Sequence, residues 1–370
     1  MNKSHIPLLH IALVSEQKLS YLELGYSEGQ CAALTHDGEI EAVLATLEGL
    51  GHNVTLVPGI QSLVQRLADG TYKNWDLVFN MAQGFHGSAR EAQVPALLEA
   101  YQIPFTFSDA ATMALCQNKV ITKYQIILNR HKIPNAPFAV IYASEEVVDH
   151  SGSDSKSLPY PLFIKPVTEG SSKGIEDSNK VLKQAELKPA IQELRSKFLD
   201  QDILVESFLS GREFTVSILG TGPQSRVIGI REHLWQTNSS NAEKNNYHSG
   251  FSADFASRLS KSNQDGEMLE YNDVHDMAEP QIKAVCQVAL DTWKVFNCRD
   301  CGRVDIRFDS DQPGCVPNVL EVNPIAGLLP DHSPLPATAK MNGLSFRELL
   351  SEIIQISLQR TVLVNASQDS

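Results

Sequence analysis

Arg303 and Asp305 stand two residues apart on one short apolar run, and Glu321 and Asn323 stand two apart on another, within GRVDIRFDSDQPGCVPNVLEVNPIAG. Successive residues of a strand face opposite sides, so each polar pair shares a face while Val304, Ile306, Leu320 and Val322 take the other. The intervening SDQPG is turn chemistry, and the two runs are expected to pair as a hairpin. One face would then carry two carboxylates, an amide oxygen and a guanidinium, a set costly to bury without a compensating ion. Asp305, Glu321 and the amide oxygen of Asn323 form a hard-oxygen group suited to Mg²⁺, which takes few protein ligands and completes its shell with phosphate oxygens and water. Two such ions could bridge nucleotide phosphates during phosphoryl transfer. Arg303 beside them could hold an anionic intermediate through paired N–H donors. An internal salt bridge of Arg303 is the plainer reading, but it leaves Asn323 and the second carboxylate unexplained.

Three other stretches have types and spacing of interest. In FIKPVTEGSSKGI, Lys165 ends an apolar run and Glu169, Gly170, Ser171, Ser172 and Gly174 follow. Small residues let backbone approach a ligand, successive N–H groups and serine hydroxyls cradle phosphate oxygens, and Lys165 adds fixed positive charge. A flexible surface turn explains the same composition equally well. In LVESFLSGREFTV, Glu206 ends a strand, and Ser207, Phe208 and Leu209 lead to a turn and a second strand carrying Glu213. Such a linker could offer backbone groups to an adenine edge, with Glu206 accepting from the exocyclic amine and Glu213 from ribose hydroxyls. Two surface glutamates beside a solvated turn is the simpler account. In QNKVITK, Lys119 and Lys123 lie one helical turn apart, and Lys123 is expected on a solvated helix face.

These residues need a scaffold, and the pattern of the chain supplies one. Up to about residue 110, PLLHIALVS, VTLVP and WDLVFNMA read as strands alternating with helices, and PFTFSD as a further short strand. That is an open parallel α/β unit whose ligands gather at the carboxyl ends of the strands, here the loop after Asn80. ATMALCQNKVITKYQIILNRHKI then reads as one helix. PLFIKPV and DILVESFL are strands flanking the helix LKPAIQELRSKFL. EFTVSILG, SRVIGIRE and the hairpin suit a larger antiparallel sheet, covered by amphipathic helices around residues 277–296 and 345–360. The expected domains are 1–110, 111–211 and 212–363, with a loose tail at 364–370.

Composition bounds the rest. The 370 residues are 42% hydrophobic, enough for two or three cores, and the net charge of −13 comes without a dense basic run. No nucleic-acid partner is expected, since such binding rests on basic patches. MNKSHIPLLHIALVS lacks the apolar length of a signal peptide and no stretch could span a bilayer, so a cytoplasmic protein with no membrane partner is expected. Six cysteines are scattered through the chain, and Cys298 and Cys301 lack the second pair or histidines of a zinc site. Two buried thiols at a helix end is the reading preferred.

QNKVITK, FIKPVTEGSSKGI, VESFLSGREFTV, GRVDIRFD and LEVNPIAGLLPDHS, in this order across nearly the whole chain, resemble the ATP-grasp superfamily and within it the D-alanine–D-alanine ligases. The resemblance implies an α/β fold of ATP-grasp architecture, an N-terminal open parallel α/β domain followed by central and C-terminal α+β domains that clamp ATP. It implies that Lys119 and Lys165 bind ATP phosphates under a loop containing Ser171, Ser172 and Gly174. Glu206, Phe208 and Leu209 would frame the adenine and Glu213 hold the ribose. Asp305, Glu321 and Asn323 would carry two Mg²⁺ ions, replaceable by Mn²⁺, while Arg303, Ser172 and the backbone at Gly327 stabilise the reacting centre. The partners implied are a small-molecule donor, phosphorylated on oxygen, and an amino acid whose amine attacks it with release of ADP and phosphate; the family habit is a homodimer. WQTNSSNAEKNNYHSGF, residues 235–251, is a candidate lid that could bring Lys244 or His248 to the substrates, or an ordinary mobile loop.

The substrate half departs from the family. Its ligases carry H-G-x-x-G-E-D-G where this chain reads HGSAREAQ, placing Arg90 near the first-substrate pocket. Glu16 could meet a donor ammonium group, yet some twenty residues separate it from the helix at Gly38. In GLLPDHSPLP, His332 and Ser333 are both candidates for the acceptor carboxylate. This combination is similar to ligases of specialised metabolism, among them those that join an amino acid to mycosporine-glycine. Ordinary D-alanine–D-alanine ligation is the second reading, and a non-catalytic ATP-binding regulator the third.

Overall fold

The computed structural model describes residues 7–129, 131–145, 158–170, 173–235, 255 and 269–368. Near the N-terminus, β1 (His10–Ser15), β2 (Asn53–Pro58) and β3 (Leu77–Asn80) form a parallel sheet of order β2-β1-β3. β1 is central, and its run IALVS is buried throughout, as a strand covered on both faces must be. His36 caps the helix Asp37–Gly49, its ring accepting from the Gly38 N–H at 3.1 Å. PFTFSD does not become a strand. It makes one bridge from Phe105 to Val78, and Phe107 then turns out of the sheet at φ 72°.

The helix expected from Ala111 onward is two helices, Ala110–Gln117 and Lys119–Leu128. Asn118 separates them because its side chain accepts from the Val120 and Ile121 N–H groups at 3.1 and 3.0 Å, an N-cap inside the apolar pattern. Lys119 therefore opens a helix, and its own N–H donates to Val167 O at 3.1 Å.

Next come β4 (Phe138–Ile141), β5 (Leu162–Pro166), β6 (Lys180–Val181) and β7 (Ile203–Ser207), an antiparallel sheet of order β4-β7-β5-β6. With the helix Gln184–Lys197 it builds a core of its own from Ile141, Leu162, Ile164, Val181, Leu187, Ile191 and Val205. The larger sheet joins β8 (Glu213–Leu219), β9 (Arg226–Trp235), β10 (Leu269–Asn272), β11 (Cys301–Phe308) and β12 (Pro317–Asn323) in the order β10-β9-β8-β11-β12. Trp293 of the helix Pro280–Val295 packs under it, fully buried with Val304, Ile306 and Val322.

The last helix, Phe346–Gln368, runs on through residues expected as a tail. Its Leu350, Ile353 and Ile354 share one core with Ile11, Leu13 and Phe79 of the first sheet and with Leu219 and Ile228 of the third. Asp300, buried at φ 62°, fastens this junction. It accepts from the Phe107 N–H at 2.7 Å, from Arg360 Nη2 at 2.8 Å and from the Thr221 hydroxyl at 3.3 Å. Cys298 and Cys301 are buried and free. Among the described residues, no three His, Cys, Asp or Glu side chains gather as a metal site, and no helix is long and apolar enough to cross a membrane.

Candidate active site

The second and third sheets face each other across an open cleft with a cavity volume of about 150 Å³. Its walls include Lys119, Lys165, Glu206, Phe208, Leu209, Glu213, Arg303, Asp305 and Glu321. Residues from four separate motifs therefore meet in one place.

The hairpin pairs as expected except at Leu320, which was expected on the buried face but is left unpaired at a bulge and lines the cleft. Asp305 lies opposite Glu321 and Arg303 opposite Asn323, with a bulge directly after Asp305. Asp305 Oδ1 accepts from the Thr215 hydroxyl at 2.9 Å, and Asn323 Nδ2 donates to Oδ2 at 3.2 Å. Arg303 Nη2 stands 3.6 Å from the same oxygen, while its buried Nε makes no hydrogen bond. Glu321 faces Lys119 Nζ at 3.5 Å, and that ammonium also donates to the Glu169 carbonyl. Two opposed carboxylates and an amide fit a hard cation, provided that Asn323 turns its oxygen inward. The unused donor of Arg303 fits an anion beside it.

Lys165 Nζ meets Glu206 Oε1 at 2.6 Å, and Lys123 Nζ meets Oε2 at 2.9 Å. Lys123 is thus not on a solvated face; it is 1% exposed. The helix break at Asn118 turns the Lys119–Lys123 face inward against β7. Burial works to raise the Glu206 pKa, but the two ammonium groups outweigh it and hold the carboxyl down to about 2. Burial pushes the Lys123 ammonium below its usual range, against the pull of Glu206.

Glu213 is held by Arg307, Nη1 to Oε2 at 3.0 Å, and Arg307 Nε donates to Gly211 O at 3.1 Å. The Arg307 guanidinium lies 5.0 Å and Lys180 Nζ 4.1 Å from the centre of the Phe208 ring, which groups loosely with Phe163 and Phe255. Arg307 was not singled out from the sequence. It shares the face of Arg303 and Asp305, so the same period-2 argument carried one residue pair further would have found it.

Glu16, 1% exposed, accepts from the Gln83 and Gly84 N–H groups through Oε2 at 2.9 and 3.1 Å, while Oε1 has no hydrogen-bond partner. Burial raises its pKa against those two bonds. The segment that follows folds over this corner, with Tyr21 stacked on Phe85 at 4.5 Å and Tyr26 edge-on at 4.6 Å. Arg90 reaches the loop after β5, Nη1 to Thr168 O at 3.0 Å. Its neighbour Glu91, assigned no site role from the sequence, is pushed up to about 7 by burial, with Arg90 and Lys119 opposing and Glu321 adding to the rise.

Ser333 and His332 part company. Ser333 Oγ accepts from the Leu329 N–H at 3.2 Å and lies against Gly327, whereas His332 is exposed. Glu39, also unforeseen, is buried at the start of the helix Asp37–Gly49 and accepts the Leu328 N–H at 2.6 Å. Gly174 adopts φ 78°, and a Cβ there would sit 2.6 Å from the Phe198 ring, so the turn requires glycine. Ser171, Ser172, Lys244 and His248 lie outside the described residues, as does nearly all of the expected lid.

The profile of a family described as "D-ala D-ala ligase C-terminus" matches residues 127–355. The D-alanine–D-alanine ligase of Xanthomonas axonopodis pv. citri is 29% identical over 316 residues, 85% of this chain and 88% of that protein. The D-alanine–D-alanine ligase of a Marinomonas species is 31% identical over 311 residues, 84% of this chain and 83% of that protein. Among solved structures, the D-alanine–D-alanine ligase of Bacillus anthracis in complex with ATP superimposes with a TM-score of 0.67 over 95% of this chain and 98% of that one, at 19% identity.

Proposed function

The chain belongs to the D-alanine–D-alanine ligase family of ADP-forming ATP-grasp carbon–nitrogen ligases, and on that premise we propose that its cleft phosphorylates a donor oxygen with ATP and couples the donor to the amine of an amino acid. One observation supports this most: the β11–β12 register that puts Asp305 opposite Glu321 and Arg303 opposite Asn323 on the wall of a cleft also lined by Lys119 and Lys165. A protein that only bound nucleotide would have no use for that whole set.

In this reading Lys119 and Lys165 hold the ATP phosphates, Gly174 lets the loop turn beneath them, Phe208 and Leu209 flank the adenine beside Glu206, and Glu213, steadied by Arg307, accepts from the ribose. Asp305, Glu321 and Asn323 would hold Mg²⁺, or Mn²⁺ in its place, whose charge offsets that of the phosphates when bound. The donor oxygen takes the γ-phosphoryl group, which converts it into a leaving group; the amine then attacks the activated carbon and phosphate departs. Arg303 meets the negative charge of the tetrahedral species with its free Nε, and the backbone at Gly327 would donate to the same charge. Ser333 is the better placed of the two acceptor-carboxylate candidates.

For the donor, we favour a molecule other than D-alanine, of the ring-bearing kind found in mycosporine-glycine ligation. The aromatic corner of Tyr21, Tyr26 and Phe85 beside Glu16 supports it, as does Arg90 in the stretch where the family carries an acidic pair. D-alanine–D-alanine ligation is the second reading, favoured by the names of the relatives. The deciding experiment follows ADP release with Mg²⁺-ATP and reads product mass for D-alanine, for L-amino acids, and for mycosporine-glycine with each amino acid. Turnover with D-alanine alone would overturn the donor assignment. No turnover with any donor, alongside ordinary ATP binding, would favour the regulator.

A further inference from the structure

Two lysines share one carboxylate at the floor of the cleft, and they are not equivalent. Lys165 and Glu206 line the cleft, whereas Lys123 lies behind Glu206 and does not. Besides Glu206, the Lys123 ammonium has Asn135 Oδ1 at 3.5 Å and the face of Phe138 with its centre at 5.5 Å. Lys165 is committed to Glu206 at 2.6 Å, the shorter of the two ion pairs. The Lys165 ammonium has three N–H donors, and the further it moves toward a nucleotide phosphate the weaker its hold on Glu206 becomes. A buried carboxylate deserted by its cation is strongly unfavourable, so with Lys165 as its only partner the exchange would be resisted.

We propose that Lys123 is a positioning residue of the nucleotide site: it keeps Glu206 fixed and ionised at the floor of the cleft, so that Lys165 is free to shift from Glu206 toward a phosphate oxygen. The triad carries one positive charge more than Glu206 neutralises, and Lys123 makes that surplus available on the cleft side. Lys123 is also tied to its own helix through the Asn118 cap, so it holds Glu206 from a rigid support. This inference rests on the assignment of the cleft to ATP. Among the described residues, the charged groups facing Glu206 are Lys123 from the helix Lys119–Leu128 and Lys165 from β5.

The test follows from proton linkage. With Lys123 replaced by Met, drawing Lys165 toward a phosphate leaves buried Glu206 short of counter-charge and raises its pKa, so Mg²⁺-ATP binding should become coupled to proton uptake. Calorimetric titration of the full-length chain with Mg²⁺-ATP between pH 6 and 8.5, in buffers of differing ionisation enthalpy, reads this directly. For Lys123→Met we expect affinity on the order of tenfold weaker than wild type at pH 8, about a factor of ten per unit of coupled pKa, and recovering as pH falls. The wild type should show no such extra proton uptake. Lys123→Arg should restore the wild-type pH profile. Lys123→Met/Glu206→Gln removes both buried charges, leaves Lys165 uncommitted, and serves if the single variant does not fold. Its affinity should not vary with pH beyond the wild-type dependence.

A Lys123→Met variant with wild-type affinity and pH profile would overturn the proposal, as would a double variant that keeps the pH-dependent weakening. Failure of the cleft assignment looks different. In that case wild type would not bind Mg²⁺-ATP, or Lys165→Met would bind it as well as wild type does.

Discussion

Replacing Asp300 by alanine should loosen one part of the molecule and leave another alone. Asp300 is fully buried, and its carboxylate holds Arg360 at 2.8 Å, the Phe107 N–H at 2.7 Å and the Thr221 hydroxyl at 3.3 Å. Removing one partner of a buried ion pair costs about 3–5 kcal/mol. Asn in its place keeps an acceptor for Phe107 and tolerates the left-handed backbone at φ 62°, so it should forfeit about 1.5–3 kcal/mol, the value of a hydrogen bond to a charged group. The assay is urea unfolding followed in parallel by tryptophan fluorescence and far-UV circular dichroism. The three tryptophans are Trp75, Trp235 and Trp293. None belongs to the four-stranded unit with its separate core, and the Trp293 ring N–H donates to Gly220 O at 3.1 Å, beside the Thr221 that Asp300 holds, so fluorescence reports the region around Asp300. We expect the fluorescence midpoint to fall in the order wild type, Asp300→Asn, Asp300→Ala, while the remaining dichroism transition stays in place. A loss below about 1 kcal/mol for Asp300→Ala, or equal shifts by both probes, would refute the reasoning.

Other perturbations separate the parts of the cleft. Glu321→Gln should leave the melting temperature nearly unchanged and collapse ADP formation, and near-normal turnover would remove the metal assignment. Arg303→Met should lower kcat while sparing ATP affinity, since its partner forms only during reaction; a loss confined to ATP binding contradicts that role. Glu206 has its pKa depressed to about 2, so its contribution to stability is present above the ordinary carboxyl range and is lost as pH falls from about 4.5 through 2. Acid unfolding of Glu206→Gln should lack that component. Glu39→Ala frees the Leu328 N–H and should raise KM for the acceptor amino acid several-fold with KM for ATP unchanged, a split visible in steady-state kinetics.

Much of this site is legible without coordinates, and what was missed has definite causes. A period of two placed Arg303, Asp305, Glu321 and Asn323 on facing strands because strand geometry allows little else once Val304, Ile306 and Val322 must be buried. Lys123 could not be placed by the same means. Its counter-charge arrives from β7 on a different sheet, and nothing local distinguishes a lysine awaiting a buried partner from one awaiting water. Asn118 hid a helix boundary inside an apolar pattern that runs across it, since a side-chain cap leaves the periodicity of its neighbours intact. Phe105 and Phe107 looked like a strand because their types favour one, but the pull of Asp300 on the Phe107 N–H overrides that preference.

The separate core of the four-stranded unit also bears on how such a protein can be recombined. Its first and last strands, β4 and β7, are neighbours, with Phe138 opposite Glu206. Chain therefore enters and leaves the unit about 5 Å apart, the spacing of adjacent strands. A unit with adjoining ends and its own interior is transplantable: it could be lifted out and replaced by that of a relative without rethreading the remaining chain. Lys165 and Glu206 would travel with the graft, while Lys123 would stay with the host. Any exchange that works must therefore bring a carboxylate back to the lysine left behind.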